Sequence, residues 1–209
     1  MVMKIYAIEV GPIRTNCYIA TDGTSGNAAV IDPGEEPEKL CAELKKHGLV
    51  PEAVFLTHGH YDHVTALASK SCLSNKPVYI HKDDLFLVSG KIPKLASLLG
   101  FCAVPLSGLS CYEDGQTVEA AGLKIKVIHT PGHTPGGVCL YIESEKTLFS
   151  GDTLFCRDCG RVDLPLGSEE QMAASLKKIL ALPAEVKVYP GHGRSTTIAS
   201  ERKTFADIL

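Results

Sequence analysis

Between residues 58 and 63 the chain concentrates three of its eight histidines and an aspartate, His58, His60, Asp62 and His63, directly behind the apolar run Val54-Phe55-Leu56. Such a density of titratable groups at the end of a buried strand is costly unless the groups act together. In extended backbone, residues i and i+2 project to the same side, so His58 and His60 can approach one ion. A turn into a helix near Asp62 would aim Asp62 and His63 at a neighbouring position. The same punctuation recurs later in the chain. His129-Thr-Pro-Gly-His133-Thr-Pro-Gly136, Ser150-Gly151-Asp152 and Pro190-Gly191-His192-Gly193 each follow an apolar strand and place Gly beside His or Asp. Strands supply rigidity and their ends carry the working groups. Neutral imidazoles and carboxylates in this mixture suit zinc, iron or manganese.

Periodicity places these segments on an alternating scaffold. Strands are expected at Lys4–Val10, Asn16–Ala20, Ala28–Ile31, Ala53–Leu56, Pro77–Ile80, Thr117–His129, Gly137–Ile142, Thr147–Ser150 and Val186–Tyr189. Helices are expected at Glu36–His47, with Pro37 in its first turn and Gly48 as its stop, at Val64–Ser71, at Asp83–Val88, after the Ser168-Glu-Glu-Gln171 capping box, and at Thr196–Phe205. Residues 89–115 show no clean period and read as a loop-rich insert. No linker or internal repeat interrupts the pattern, so one α/β domain over residues 1–209 is expected.

The formal net charge of -3 argues against a nucleic-acid partner, because phosphate binding needs clustered Lys and Arg. The longest basic feature, Arg194 with Arg202 and Lys203, reads as a solvated face. No run approaches the ~18–20 apolar residues of a membrane span. Met1 to Val10 lacks the long apolar stretch of an export signal. A cytoplasmic protein is therefore expected, with its eight cysteines as reduced thiols, Cys41 in the core and the lone Cys156-x-x-Cys159 structural. His47 reads as a helix C-terminal residue facing the dipole, His81 as a loop-surface residue, and His129 as a hydrogen-bonded residue near a ligand.

Taken together, His58, His60, Asp62 and His63 form an H-x-H-x-D-H signature, with His133, Asp152 and His192 following in order. The chain resembles the metallo-β-lactamase superfamily over nearly its whole length. The resemblance implies an αββα four-layer sandwich with the site at one edge. It implies two divalent metal ions, zinc foremost with iron or manganese as alternatives. His58, His60 and His133 would hold one ion, Asp62, His63 and His192 the other, and Asp152 would bridge them. Gly11-Pro-Ile-Arg-Thr-Asn-Cys-Tyr-Ile19, the His129–Gly136 segment and Gly151-Asp-Thr-Leu-Phe155 narrow the likeness to glyoxalase II, the hydroxyacylglutathione hydrolases. That likeness implies hydrolysis of a small-molecule thioester, with Asp62 catalytic and Arg161, in Cys159-Gly160-Arg161, binding the substrate. The family's C-terminal helical domain has no counterpart in the residues after His192, and Ser195-Thr196 stand where the family has a tyrosine. The natural thiol is therefore left open, as is the oligomeric state.

Two other readings compete. A persulfide dioxygenase shares the fold and the Cys-Gly-Arg-x-Asp stretch of Cys159–Asp163, and would use one iron on His58, His133 and Asp152. A non-catalytic metal-binding module is the second; the complete ligand set argues against it. A flavodiiron site fits poorly, because that branch has Glu where this chain has His60.

Overall fold

The computed structural model describes residues 2–89 and 106–208. The chain opens with β1 (Lys4–Val10), β2 (Thr15–Thr21) and β3 (Asn27–Ile31), followed by α1 (Pro37–Lys46) and β4 (Val50–Phe55). A single-turn α2 (Tyr61–Val64) runs into a 3-10 turn over Thr65–Ala68, then come β5 (Val78–His81) and β6 (Leu109–Tyr112). The second half holds β7 (Thr117–Ala120), β8 (Leu123–His129), β9 (Val138–Ile142), β10 (Thr147–Gly151), the short pair β11 (Leu154–Phe155) and β12 (Asp158–Cys159), α3 (Glu169–Leu180), β13 (Lys187–Pro190), β14 (Thr196–Thr197) and α4 (Ile198–Thr204).

Two six-stranded mixed sheets result, in the orders β1-β2-β3-β4-β5-β6 and β14-β13-β10-β9-β8-β7. In the first, β3 to β6 run parallel, so β3, β4 and β5 deliver their C-terminal ends to one edge. In the second, β10 and β13 run parallel and do the same.

Side-chain alternation along each strand builds the layers. On β4, Ala53 and Phe55 face the space between the sheets, together with Ala29, Ile31, Leu140 and Phe149. Val54 and Leu56 point the other way, onto Leu40 and Leu44 of α1. On β9, Leu140 faces inward while Cys139 and Tyr141 pack under Met172, Leu176 and Ile179 of α3. Strands apolar on both faces need cover on both. The result is helix, sheet, sheet, helix, the expected αββα sandwich.

Several expectations change. The single strand Thr117–His129 is a hairpin, because Ala121 and Gly122 both take positive φ, 53° and 72°. β6 lies in the stretch expected to be irregular; it is too short to show a period and is held by parallel pairing with β5. Within that insert, residues 90–105, with Cys102, lie outside the described residues. The helix expected over Asp83–Val88 is a 3-10 turn at Lys82–Asp84, and in place of the helix expected over Val64–Ser71 the single-turn α2 ends at Val64 and a 3-10 turn follows over Thr65–Ala68.

The cysteines also require correction. Cys41 and Cys72 form a disulfide instead of standing as reduced thiols, α1 and the loop after α2 placing their Cα atoms 5.8 Å apart. A separation of 31 residues hides that proximity in the sequence. Cys17, Cys111, Cys139, Cys156 and Cys159 are free. His81 is buried at the end of β5, not on a loop surface, with its ring stacked on His129 at 4.1 Å. His47 caps α1 as expected and meets Glu43 at 2.9 Å. Among the described residues no helix is long and apolar enough to cross a membrane.

Candidate metal centre

The ends of β4, β10 and β13 and the loop after β8 meet where the two sheets open. β4 runs out at Phe55, and the chain bends at Thr57 and His58 and carries His58 and His60 to the edge before α2 turns Asp62 and His63 inward. The seven side chains expected as ligands are thereby brought together. His58, His60 and His133 converge with ligand atoms within 4.8 Å of one another, and Asp62, His63 and His192 converge in the same way. Asp152 stands between the two groups. Its Oδ1 lies 3.5 Å from His63 Nε2, and its Oδ2 lies 3.5 Å from His133 Nε2 and 3.6 Å from His192 Nε2.

Hydrogen bonds behind the rings decide which nitrogens face the centre. Thr57 donates its hydroxyl to Asp32 Oδ2 at 2.7 Å, so its oxygen accepts from His58 Nδ1 at 3.2 Å. His63 donates Nδ1–H to Asp32 Oδ2 at 3.0 Å, and His133 donates Nδ1–H to the Arg161 carbonyl at 2.7 Å. In all three, Nδ1 is held by its partner and Nε2 faces the centre. Asp32 therefore orients two histidines, one directly and one through Thr57. From sequence it reads only as a strand terminator before Pro33. Its signal, an acidic residue at the end of a buried strand, is the one that singled out Asp152.

A second carboxylate missed by sequence reasoning is Asp84. It is fully buried and accepts from Gly59 N at 2.9 Å, Thr134 Oγ1 at 2.8 Å and Gly136 N at 2.6 Å. One side chain thus ties the His58–His63 loop to the His133 loop. Burial raises its pKa, and the three hydrogen bonds oppose that rise.

The His192 loop is pinned by β2. Asn16 Nδ2 donates to the Pro190 and Gly193 carbonyls at 3.0 and 2.8 Å, and Tyr18 OH donates to Pro190 O at 2.7 Å. Thr15 donates its hydroxyl to Asp62 Oδ2 at 2.8 Å.

The donor set fits divalent cations on three observations. His63 Nε2, His133 Nε2 and Asp152 Oδ1 are buried and, among the described residues, have no hydrogen-bond partner, a rare condition unless another group satisfies them. Burial, then the neighbouring imidazoles, holds His58 far below the usual histidine pKa and His60 down to about 3, so both offer neutral lone pairs at pH 7. Burial works against a proton on His63 and His192, but the facing carboxylates outweigh it and raise both. That is a strong negative field waiting for a cation.

Gly191 shows how tightly the cradle is drawn. A Cβ there would lie 2.1 Å from Asp152 Oδ1 and 2.8 Å from His63 Cε1. Gly191→Ala is expected to displace Asp152 and cut bound metal at least in half, measured by elemental analysis of folded protein. Wild-type metal content in that variant would mean that Asp152 does not sit against the ions.

Arg161 is displayed differently. Its main-chain carbonyl fixes His133, while its exposed guanidinium closes on Asp163 through two 2.7 Å hydrogen bonds.

Comparison with known proteins agrees with this geometry. Hydroxyacylglutathione hydrolase GloC of Haemophilus influenzae is 32% identical over 206 residues, covering 97% of this chain and 96% of its own. The crystal structure of BLEG-1 B3 metallo-beta-lactamase is 36% identical with a TM-score of 0.83, covering 96% of this chain and 97% of its own. TTHA1623, solved in a di-iron-bound form, is 40% identical with a TM-score of 0.83 and covers 95% of this chain and 98% of its own. The family model described as the metallo-beta-lactamase superfamily matches residues 10–192. Its span starts at the end of β1, closes on His192 and includes all seven convergent side chains, and the chain belongs to the metallo-beta-lactamase superfamily.

Proposed function

We propose that this metal-dependent hydrolase cleaves a small thioester, hydroxyacylglutathione-like in its acyl half, at a centre of two divalent ions, zinc foremost. The reading is carried by the assembly of His58, His60 and His133 on one side of Asp152 and of Asp62, His63 and His192 on the other. Bound there, such ions lower the pKa of water toward ~7 and polarise a carbonyl. The chain's own residues do the rest. Asp62 presents a carboxylate that can take a proton from the attacking water, with Thr15 fixing its orientation through Oδ2. Asp32, Thr57 and the Arg161 carbonyl keep three imidazoles in register. A thiolate, with a pKa of about 8.5, leaves without a protein acid. The 32% identity to GloC across 97% of this chain and 96% of GloC supports this substrate class.

A persulfide dioxygenase would need only His58, His133 and Asp152, and the fully formed Asp62/His63/His192 group has no task in it. The test is hydrolysis by protein of measured metal content. The panel holds thioesters on several thiols, a β-lactam, because BLEG-1 is 36% identical, and a persulfide with oxygen uptake followed. Thioesters are expected to reach kcat/KM on the order of 10⁴ M⁻¹s⁻¹ or more, with more than one ion per chain. Turnover confined to the persulfide, with oxygen consumed, would overturn the proposal.

A further inference from the structure

Sequence order scatters the basic residues of the C-terminal region, and the fold re-sorts them. Arg202 turns into the protein and donates to the Leu180 and Leu182 carbonyls, both at 2.7 Å. Arg194 and Lys203 instead join Arg157, from the β11–β12 turn, and Lys187, from the start of β13, around a groove of about 660 Å³. Among the described residues, none of these four cations is paired with a carboxylate. Arg194 Nε donates to Cys156 Sγ at 3.2 Å, and Lys187 lies over the Tyr189 ring at 4.8 Å. The groove's single acidic side chain among the described residues, Glu201, is 1% exposed. Both its oxygens are committed, to Arg157 N at 2.9 Å and Thr196 Oγ1 at 2.5 Å. Four exposed cations on one depression, in a chain of net charge -3, make a local positive field that repels itself until an anion enters.

The groove adjoins the metal centre. The residues after β13 carry His192 into the centre and, two positions on, Arg194 onto the groove wall. The Phe155 ring stands 6.0 Å from the His192 ring, and the next residue, Cys156, lines the groove. A substrate with its reacting carbonyl beside His192 can lay its leaving group past Phe155 into this depression.

We propose that this groove binds a phosphate-bearing portion of the thiol half of the substrate; the assignment to the thiol half rests on the thioester reading above. A phosphomonoester brings close to two negative charges and three acceptor oxygens. Two arginine forks with two lysine point charges suit it better than they suit one carboxylate.

The test uses metal-loaded protein and thioesters of one acyl group on three thiols: coenzyme A, glutathione and the uncharged N-acetylcysteamine. The wild type is expected to favour the coenzyme A thioester. Arg194→Gln/Lys203→Gln should cut the kcat/KM ratio of coenzyme A to N-acetylcysteamine thioester by ~10-fold or more, the size of a lost charged hydrogen bond. Lys187→Gln should act in the same direction. Adenosine 3′,5′-bisphosphate, a thiol-free probe followed by calorimetry, should lose affinity in parallel, and salt should weaken it in the wild type. If no thioester turns over but the bisphosphate binds the wild type and not the double variant, the groove stands and the thioester reading falls. Bisphosphate binding that is absent, or equal in wild type and double variant, overturns the groove. So does a loss confined to the glutathione thioester.

Discussion

Asp62→Ala is expected to lower kcat on the order of 10³-fold or more for any thioester the protein hydrolyses, while the fold survives. Two effects combine. Asp62 is one of the three groups converging with His63 and His192, lying 3.2 Å from the first and 3.4 Å from the second. Its removal weakens that half of the centre by at least the ~10–100-fold typical of lost metal-site support. In the proposed mechanism it also removes the carboxylate that handles the water's proton, a role worth ~10²–10⁴-fold. The fold should persist because, among the described residues, the side chain's polar partners are Thr15, His63 and His192, all belonging to the centre, and it joins none of the three apolar cores. Rate measurements, elemental analysis and circular dichroism on one preparation decide the matter. A folded variant with wild-type kcat would remove Asp62 from the mechanism.

Asp84→Ala should give the largest loss of stability among the residues around the site. It leaves Gly59 N, Gly136 N and the Thr134 hydroxyl without the acceptor that holds them, in a place water does not reach. Each orphaned buried donor costs about 1–3 kcal/mol, so a total of at least about 3 kcal/mol is expected. For a chain of this size that lowers Tm on the order of 10 °C. Metal content should fall as well, because the His58 and His133 loops lose their common tie. Asp84→Asn retains one acceptor oxygen and should fall between the two. Thermal unfolding unchanged in Asp84→Ala would show that the loops are held by other means.

The seven convergent side chains were legible because their signal is local. His58, His60, Asp62 and His63 sit within one short segment, and His133, Asp152 and His192 each stand beside glycine at a strand end. The supporting residues were harder to see. Asp32 and Asp84 are single carboxylates in segments that also read as a turn and a helix start. They acquire meaning only when distant loops arrive: Asp32 meets Thr57 and His63, 25 and 31 residues away, and Asp84 meets Gly136, 52 away. The strand β6 and the hairpin at Ala121-Gly122 escaped for a related reason. Four residues cannot display a period, and a run of alternating residues does not announce where it folds back.

By itself the sequence determined the alternating elements, the two-faced apolar strands that demand cover on both sides, and the concentration of neutral and acidic ligands at their ends. These follow from periodicity and side-chain chemistry, which act within a few residues. Only the tertiary structure decided which nitrogen of His63 and His133 faces the centre, because the partner of the other nitrogen, Asp32 or the Arg161 carbonyl, comes from elsewhere in the chain; for His58 the neighbouring Thr57 accepts because the distant Asp32 takes its hydroxyl proton. It joined Cys41 to Cys72 across 31 residues. It also separated Arg202 from Arg194 and Lys203, neutral company on one side and an uncompensated positive groove on the other. Charge in a sequence is a sum, whereas charge at a surface depends on which side chains the packing leaves without a partner.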